Sequence, residues 1–511
     1  MKTPKADLKS DYLSGAEALR PFYQYAFPPS DYAGILRDKA SDPMDRATLA
    51  DELLRQNREL PDAAATLANI EQLRDNRTFT VTTGHQLVML GGPMYTLYKI
   101  ASTIRLAEII QQKHPEYPVV PVFWMATEDH DWAEINHFHS SFTQRRTYRG
   151  SFRGAVGRHL LEPSIESVLP ADLDAALKAC FVPGRKYAEA FRAFIHQLFG
   201  ATGLVIVDAD TPVLKRLFLP AMRRELSATG MFAHIDATNQ RLEALGYKQQ
   251  IFPRPVNLFY LGNGDRELIE RTAEGDFHLK GSDTVISATD LQARLEAHPE
   301  DFSPNVACRP LYQETILPNL AYVGGWAETS YWMQLREAFE AAGINFPLLV
   351  PRMHATLLTP TQAEEANRLE IPPADLGRSL HDLHEAHLDR HWTDAELQEH
   401  FGEIHTAYQH LAEHIQAIDP TLAISVRANW ARTAKKFHRL KKKVRKSLRN
   451  QQPKPYEAIS LLKNAVSPEH RQQQRVLNFT AFSDFTAVEL VAVILEHCHP
   501  DQYADQWIIL P

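Results

Sequence analysis

The run Thr78-Phe79-Thr80-Val81-Thr82-Thr83 breaks into Gly84-His85-Gln86, reaches Gly91-Gly92-Pro93, and passes into a helical pattern from Tyr95 to Ile110. A strand, a glycine turn and a helix in that order predict a βα unit of a parallel sheet. Such a turn brings backbone N–H groups and a helix N-terminus against an anion such as a phosphate. Pro93 suits a first helical turn, where its missing N–H costs nothing. The spacing is neither the dinucleotide fingerprint G-x-G-x-x-G nor a Walker P-loop. Two readings of Gly91-Gly92 therefore stand side by side: a phosphate cradle, or a tight turn before a helix.

Three further apolar runs read as buried strands followed by helical patterns: Val119 to Ala126, Leu204 to Val207 and Phe346 to Val350. Val, Ile and Phe runs alternating with amphipathic helices predict an α/β fold with a doubly wound parallel sheet. Ligands gather at the carboxyl ends of such strands. The residues just beyond the runs are Gly84-His85-Gln86, Glu128-Asp129-His130-Asp131, Asp208 with Asp210, and Arg352. Asp210 or Thr211 reads as an N-cap, with Pro212 in the first turn.

We expect an N-terminal helical segment (1–75), a core (76–359) carrying insertions near 151–200 and 258–300, a helical domain (360–465), and a C-terminal segment (466–511) returning to the core. Leu261-Gly262-Asn263-Gly264-Asp265 is a hairpin signal inside the second insertion. In the helical domain Phe401, Ile404, Tyr408, Leu411, Ile415 and Ile418 form a heptad seam. Asp419-Pro420 interrupts it, and Val426, Trp430, Ala434, Phe437, Leu440, Val444 and Leu448 form a second. Two long helices and a short turn predict an antiparallel coiled-coil hairpin.

The chain has 511 residues, too many for one core, of which 44% are hydrophobic and 23% charged. Its net charge of −8 argues against bulk affinity for nucleic acid or anionic membrane. Three cysteines (Cys180, Cys308, Cys498), without a C-x-x-C pair, point away from disulfides and thiolate zinc and towards a cytoplasmic protein. Met1 to Leu13 lacks the apolar stretch of a signal peptide, and no apolar run is long enough to span a membrane.

Glu128, Asp129 and Asp131, with His130 among them, suit a hard cation such as Mg²⁺ bridging phosphates, or a substrate ammonium group. A solvated acidic loop is the plain alternative. His85, in the glycine turn, suits a donor to charge developing on a transferred phosphoryl or adenylyl group. Lys99 shares a helical face with Tyr95 and Ser102 and reaches towards the same ligand. Arg254, Arg309 and Arg352 each stand beside proline, and a stiff backbone next to a guanidinium suits bidentate recognition of carboxylate or phosphate. Lys435 to Arg449 holds nine Lys or Arg residues and no acid. Nucleic acid, a solvated coiled-coil face, or nucleotide phosphates are the readings of that stretch.

Taken in order, these motifs resemble one family. Thr83-Gly84-His85-Gln86, Gly91-Gly92-Pro93-Met94-Tyr95-Thr96, Pro121-Val122-Phe123-Trp124, Glu128-Asp129-His130-Asp131, Asn257-Leu258-Phe259-Tyr260, Arg309-Pro310-Leu311-Tyr312-Gln313-Glu314, Gly324-Gly325 with Glu328, and Val350-Pro351-Arg352-Met353 are similar to the cysteine-adding enzymes of bacillithiol biosynthesis, the BshC family. The resemblance implies a Rossmann-type core related to nucleotidyltransferases and class I synthetases. It also implies connecting-peptide insertions and a coiled-coil domain through which such proteins form homodimers. The implied activity is ligation of L-cysteine to glucosaminyl malate. Asn257, Gln313 and Glu328 then join Arg254, Arg309 and Arg352 as substrate-binding residues. Two departures stand out: Gly84-His85-Gln86 where relatives have Gly-Gln-Gln, and His354 where a small polar residue is expected.

Amide formation in water needs an activated carboxyl, so ATP (leaving ADP or AMP) with Mg²⁺ is the expected co-substrate. Gly84, Gln86, Gly91, Gly92, Lys99, Asp208 and Asp210 would hold the nucleotide. His85, Glu128, Asp129 and Asp131 would be catalytic, with Mg²⁺ on Glu128 and Asp129. The rival readings are a tRNA-binding protein using the basic arm and a metal-dependent hydrolase centred on Glu128 to Asp131. Salt-sensitive RNA binding would mark the first, and chelator-sensitive activity without ATP the second.

Overall fold

In the computed structural model, the four runs become strands of a parallel sheet that has a fifth member: β1 (Phe79–His85), β2 (Val119–Met125), β3 (Val205–Asp208), β4 (Asn319–Gly324), which no run announced, and β5 (Leu348–Pro351). The structure describes residues 7–141, 143–150, 152–227, 230–282 and 284–511. Of the segments expected above, residues 1–6 and positions 142, 151, 228, 229 and 283 lie outside the described residues. The strand order is β5-β4-β1-β2-β3. β2, β4 and β5 are buried along their whole length, which is why β2 and β5 read as continuous apolar runs rather than as an alternation. The chain winds from β1 to β3 on one side, then crosses back to lay β4 against the other edge of β1. The sheet therefore has a topological switch point between β1 and β4, where ligands collect in folds of this kind.

Register brings the strand ends level. Gly84 pairs with Trp124, Met125 with Asp208, and Gly324 with Pro351. The helices that follow are α1 (Tyr95–Lys113), α2 (Tyr187–Phe199), α3 (Pro212–Glu225), α4 (Arg309–Ile316) and α5 (Trp326–Gln334). Thr211 caps α3 by accepting from the Leu214 N–H, with Pro212 in its first turn. Between α3 and α4 a second sheet forms, antiparallel, from Phe302–Pro304, Leu258–Tyr260, Glu267–Arg271, Phe277–Lys280 and Val285–Ile286 in that spatial order. The hairpin signal at 261–265 joins two of these strands, pairing Tyr260 with Glu267. All three cysteines are free and buried.

One compact unit comprises 1–355 and 474–506, and a second comprises 356–473 and 507–511. In the second unit, α6 (Ala395–Ile418) and α7 (Pro420–Gln451) form the coiled-coil hairpin. Asp419 caps α7, accepting from the Thr421 N–H at 2.8 Å. Phe401 packs on Trp430 and Phe437, with ring centroids 5.1 and 4.6 Å apart, so the two seams meet. The basic stretch of α7 is partly neutralised: Lys441 pairs with Asp394, Arg445 with Glu385 and Asp389, and Arg449 with Glu385. Among the described residues no helix is long and apolar enough to cross a membrane.

Candidate active site at the carboxyl edge of the parallel sheet

A cleft of about 590 Å³ opens at the carboxyl ends of β1, β2, β4 and β5. Gly84 lines it, close enough to its neighbour strand that a Cβ there would touch the Trp124 carbonyl oxygen at 3.4 Å. Lys99, one turn into α1, is 1% exposed. Its ammonium donates to the Gly84 carbonyl and, at 2.7 Å, to Glu328. Glu328 sits in the first turn of α5, where its carboxylate also accepts from Tyr322 Oη and from the Gly325 N–H, each at 2.8 Å. Burial pushes the Glu328 carboxyl up, but Lys99 beside it holds it below its ordinary value.

A second charged pair forms across the cleft. Arg309 opens α4 and reaches Asp129, just past β2, at 2.6 Å, and Arg266 lies 3.6 Å from the same carboxylate. Against the effect of burial, these two guanidiniums hold Asp129 below the usual carboxylate range. Arg352, past β5, donates to Gln474 Oε1 at 2.5 Å and sits 5.3 Å over the Tyr95 ring. Burial, then the neighbouring Arg475, lowers it to about 10. With Arg254 and Arg475 the walls carry six cationic side chains against the two carboxylates Asp129 and Glu328. The lining is thus rich in positive charge.

His85 ends β1. Its Nδ1 is 3.1 Å from the Gln86 carbonyl and its Nε2 3.1 Å from Tyr95 Oη. Burial, then the Lys99 ammonium, lowers the imidazole from 6.5 to about 4. Both ring nitrogens are thus engaged within the protein and the ring is neutral at pH 7. The donor role expected for His85 is not open to it. A consequence for stability follows: between about 4 and 6.5 the unfolded chain binds the extra proton and the folded one does not. Stability rises with pH across that window and is lost as pH falls through it. Urea midpoints of wild type and His85→Gln, compared from pH 7 to pH 4, should diverge as the wild type loses more. A constant difference would count against a neutral ring in the folded protein.

Several expected site residues lie elsewhere. Gly91 and Gly92 do not cradle a ligand. Both have φ above +60°, and a Cβ on Gly92 would meet Val88 Cγ1 at 2.5 Å. The Leu90 and Gly92 carbonyls accept from Asn478 Nδ2 at 2.8 and 2.7 Å, while the Met94 N–H donates to the Leu477 carbonyl. The C-terminal segment thus fills the helix N-terminus that was to hold a phosphate, and the tight-turn reading is the correct one. Asp208 accepts from Thr127 Oγ1 at 2.6 Å and faces Arg192, and Asp210 is held bidentately by Arg158 at 2.6 and 2.7 Å. Neither lines the cleft.

Glu128 is buried against Lys215, and Asp131 is exposed outside the cleft. The Mg²⁺ site expected on Glu128 and Asp129 does not fit these residues, because each carboxylate already answers a cation. Among the described residues no group of three His, Cys, Asp or Glu side chains is placed to hold a metal ion. Asn257 is fully buried behind the wall, bonded to Glu225 and to the Arg254 carbonyl. It braces Arg254 rather than touching a ligand.

Gly84, His85, Gln86, Lys99, Asp129, Arg254, Arg309, Gln313, Glu328 and Arg352 do share the cleft. Sequence reasoning missed Arg266, Arg475 and the contact face of Tyr95. Arg266 follows the hairpin signal directly and stacks 4.0 Å over Phe259, so the turn itself was the clue. Nothing near Arg475 announces it.

Comparison with known proteins finds matches along nearly the whole chain. The family described as "Bacillithiol biosynthesis BshC, N-terminal Rossmann-like domain" matches residues 1–353. That described as "Bacillithiol biosynthesis BshC, C-terminal coiled-coil domain" matches 355–509. A protein of Cytophaga hutchinsonii named "Putative cysteine ligase BshC" is 34% identical over 496 residues, covering 96% of this chain and 94% of that protein. Proteins of the same name from Flavobacterium johnsoniae and Geobacillus thermodenitrificans are 33% and 30% identical, covering 96% and 92% of this chain and 95% and 92% of their own. With both domain descriptions matched end to end and the parallel sheet and coiled coil they name present in the fold, the chain belongs to the BshC family of bacillithiol biosynthesis.

Proposed function

We propose that this protein is a ligase that joins the carboxyl group of L-cysteine to the amine of glucosaminyl malate, forming an amide. The observation that carries the reading is the charge of the cleft, six cations against two carboxylates at the switch point of the sheet. Each proposed reactant is anionic in part: the malate arm has two carboxylates, cysteine one, and an activating nucleotide its phosphates. Arg254 and Arg352 suit the malate carboxylates by bidentate donation. Lys99 and Arg309, held rigid by Glu328 and Asp129, offer fixed positive charge where negative charge develops on the reacting carboxyl.

An amide does not form from carboxylate and amine in water without activation. We propose ATP as the co-substrate: a cysteine carboxylate oxygen takes its phosphoryl group, releasing ADP, or its adenylyl group, releasing pyrophosphate, and the amine then displaces phosphate or AMP from the activated carbonyl. Mg²⁺ would enter with the nucleotide, since Glu128 and Asp129 are already paired with cations. Positioning and electrostatics, not a covalent enzyme intermediate, then account for the rate. We further propose a homodimer through the hairpin, where Leu411, Ile418, Leu422 and Leu440 are each about half exposed or more.

The test is product formation. Purified protein that sediments as a dimer should convert cysteine and glucosaminyl malate to bacillithiol with ATP and Mg²⁺, detected by mass. Folded protein that forms no product with any nucleoside triphosphate, even in a lysate supplying missing partners, ends the assignment.

A further inference from the structure

The polar groups facing the cleft are mostly donors. Its two carboxylates are engaged, Asp129 by Arg309 and Arg266, Glu328 by Lys99, Tyr322 and the Gly325 N–H. Tyr95 differs. His85 Nδ1 faces the Gln86 carbonyl, which can only accept, so Nδ1 carries the ring proton. Nε2 of the neutral ring is then an acceptor, and the Tyr95 O–H at 3.1 Å donates to it. With its proton committed to His85, the Tyr95 oxygen meets the cleft as an acceptor. The guanidinium of Arg352 over the ring fixes the phenol in place.

We propose that the Tyr95 hydroxyl accepts an N–H of the amine substrate, and that His85 is a positioning residue acting through it. The substrate class is a primary amine on a small polar molecule; that it is an amino sugar rests on the ligation reading above. An amine so held presents its lone pair in one direction, which is what attack on a carboxyl carbon requires. His85 need not be a histidine for this. A glutamine carbonyl Oε1 can take the same phenolic proton.

The experiment is calorimetric titration of the full-length protein with glucosamine as the amine probe and malate as a probe without an amine. Tyr95→Phe and His85→Leu should weaken glucosamine roughly tenfold and leave malate unchanged within about twofold. His85→Gln should recover most of the affinity lost in His85→Leu. In turnover, the same variants should raise KM for the amine substrate and leave KM for cysteine in place. Equal loss of both probes would mean a structural role and overturn the proposal. So would unchanged glucosamine binding in Tyr95→Phe, or wild-type protein that fails to bind glucosamine with or without malate. These readouts do not need ligation: a wild type that binds glucosamine through Tyr95 yet makes no amide would sink the ligase reading alone.

Discussion

Lys215→Met should lower the stability of the protein by about 3–5 kcal/mol, read as a fall in the urea midpoint. Lys215 is fully buried, and its ammonium serves Glu128, itself 5% exposed, and the Phe302 carbonyl, with Asp210 3.8 Å away. Removing the cation leaves a carboxylate buried without a counter-charge, which costs far more than the pair itself contributes. Burial already raises the Glu128 carboxyl above its ordinary value, against the pull of Lys215. The double variant Lys215→Met with Glu128→Gln should therefore recover much of the loss, and the two changes should be strongly non-additive. Additive losses would show that the pairing does not carry the stability, and would reopen Glu128 as a ligand for something else.

Arg309→Ala should cut kcat/KM for ligation roughly 100-fold while the protein stays folded. Arg309 is placed by the first turn of α4 and contributes both a cleft-facing charge and the shortest contact to Asp129. Arg266, 3.6 Å from Asp129, keeps that carboxylate from being orphaned, which is why activity rather than folding should suffer. Arg309→Lys restores the charge without the planar fork and should recover only part of the rate. A kcat/KM within threefold of wild type in Arg309→Ala would remove this arginine from the mechanism.

The sheet was legible where strands are built from apolar and β-branched residues. β2, β3 and β5 announce themselves as runs of Val, Ile, Phe and Leu, and β1 as a β-prone Phe, Val and Thr run ending in glycine; the rule that ligands sit at strand ends then leads to His85, Asp129 and Arg352. β4 was not read as a strand, because Pro318 and Asn319 look like a break and leave only Leu320 to Val323. In the fold Asn319 is a buried hub, accepting from Thr82 Oγ1 at 2.8 Å and donating to Glu314 at 2.7 Å. Nor could pattern alone sort the acids at the strand ends. Glu128, Asp208 and Asp210 are neutralised by Lys215, Arg192 and Arg158, which come from distant segments whose facing no local periodicity reveals. The glycine turn failed for a related reason: the segment that fills it lies nearly four hundred residues downstream, as Asn478 does from Leu90.

That last contact bears on when the molecule becomes competent during its synthesis. Arg475 lines the cleft and Asn478 ties down the turn before α1, and both emerge from the ribosome after the entire coiled-coil hairpin. A nascent or clipped chain ending near residue 353 holds all five parallel strands but neither of these groups. Folding of the sheet can begin early, since domains form as the chain emerges. Completion of the reaction chamber waits for the final stretch of translation, so a prematurely terminated polypeptide would be born inert.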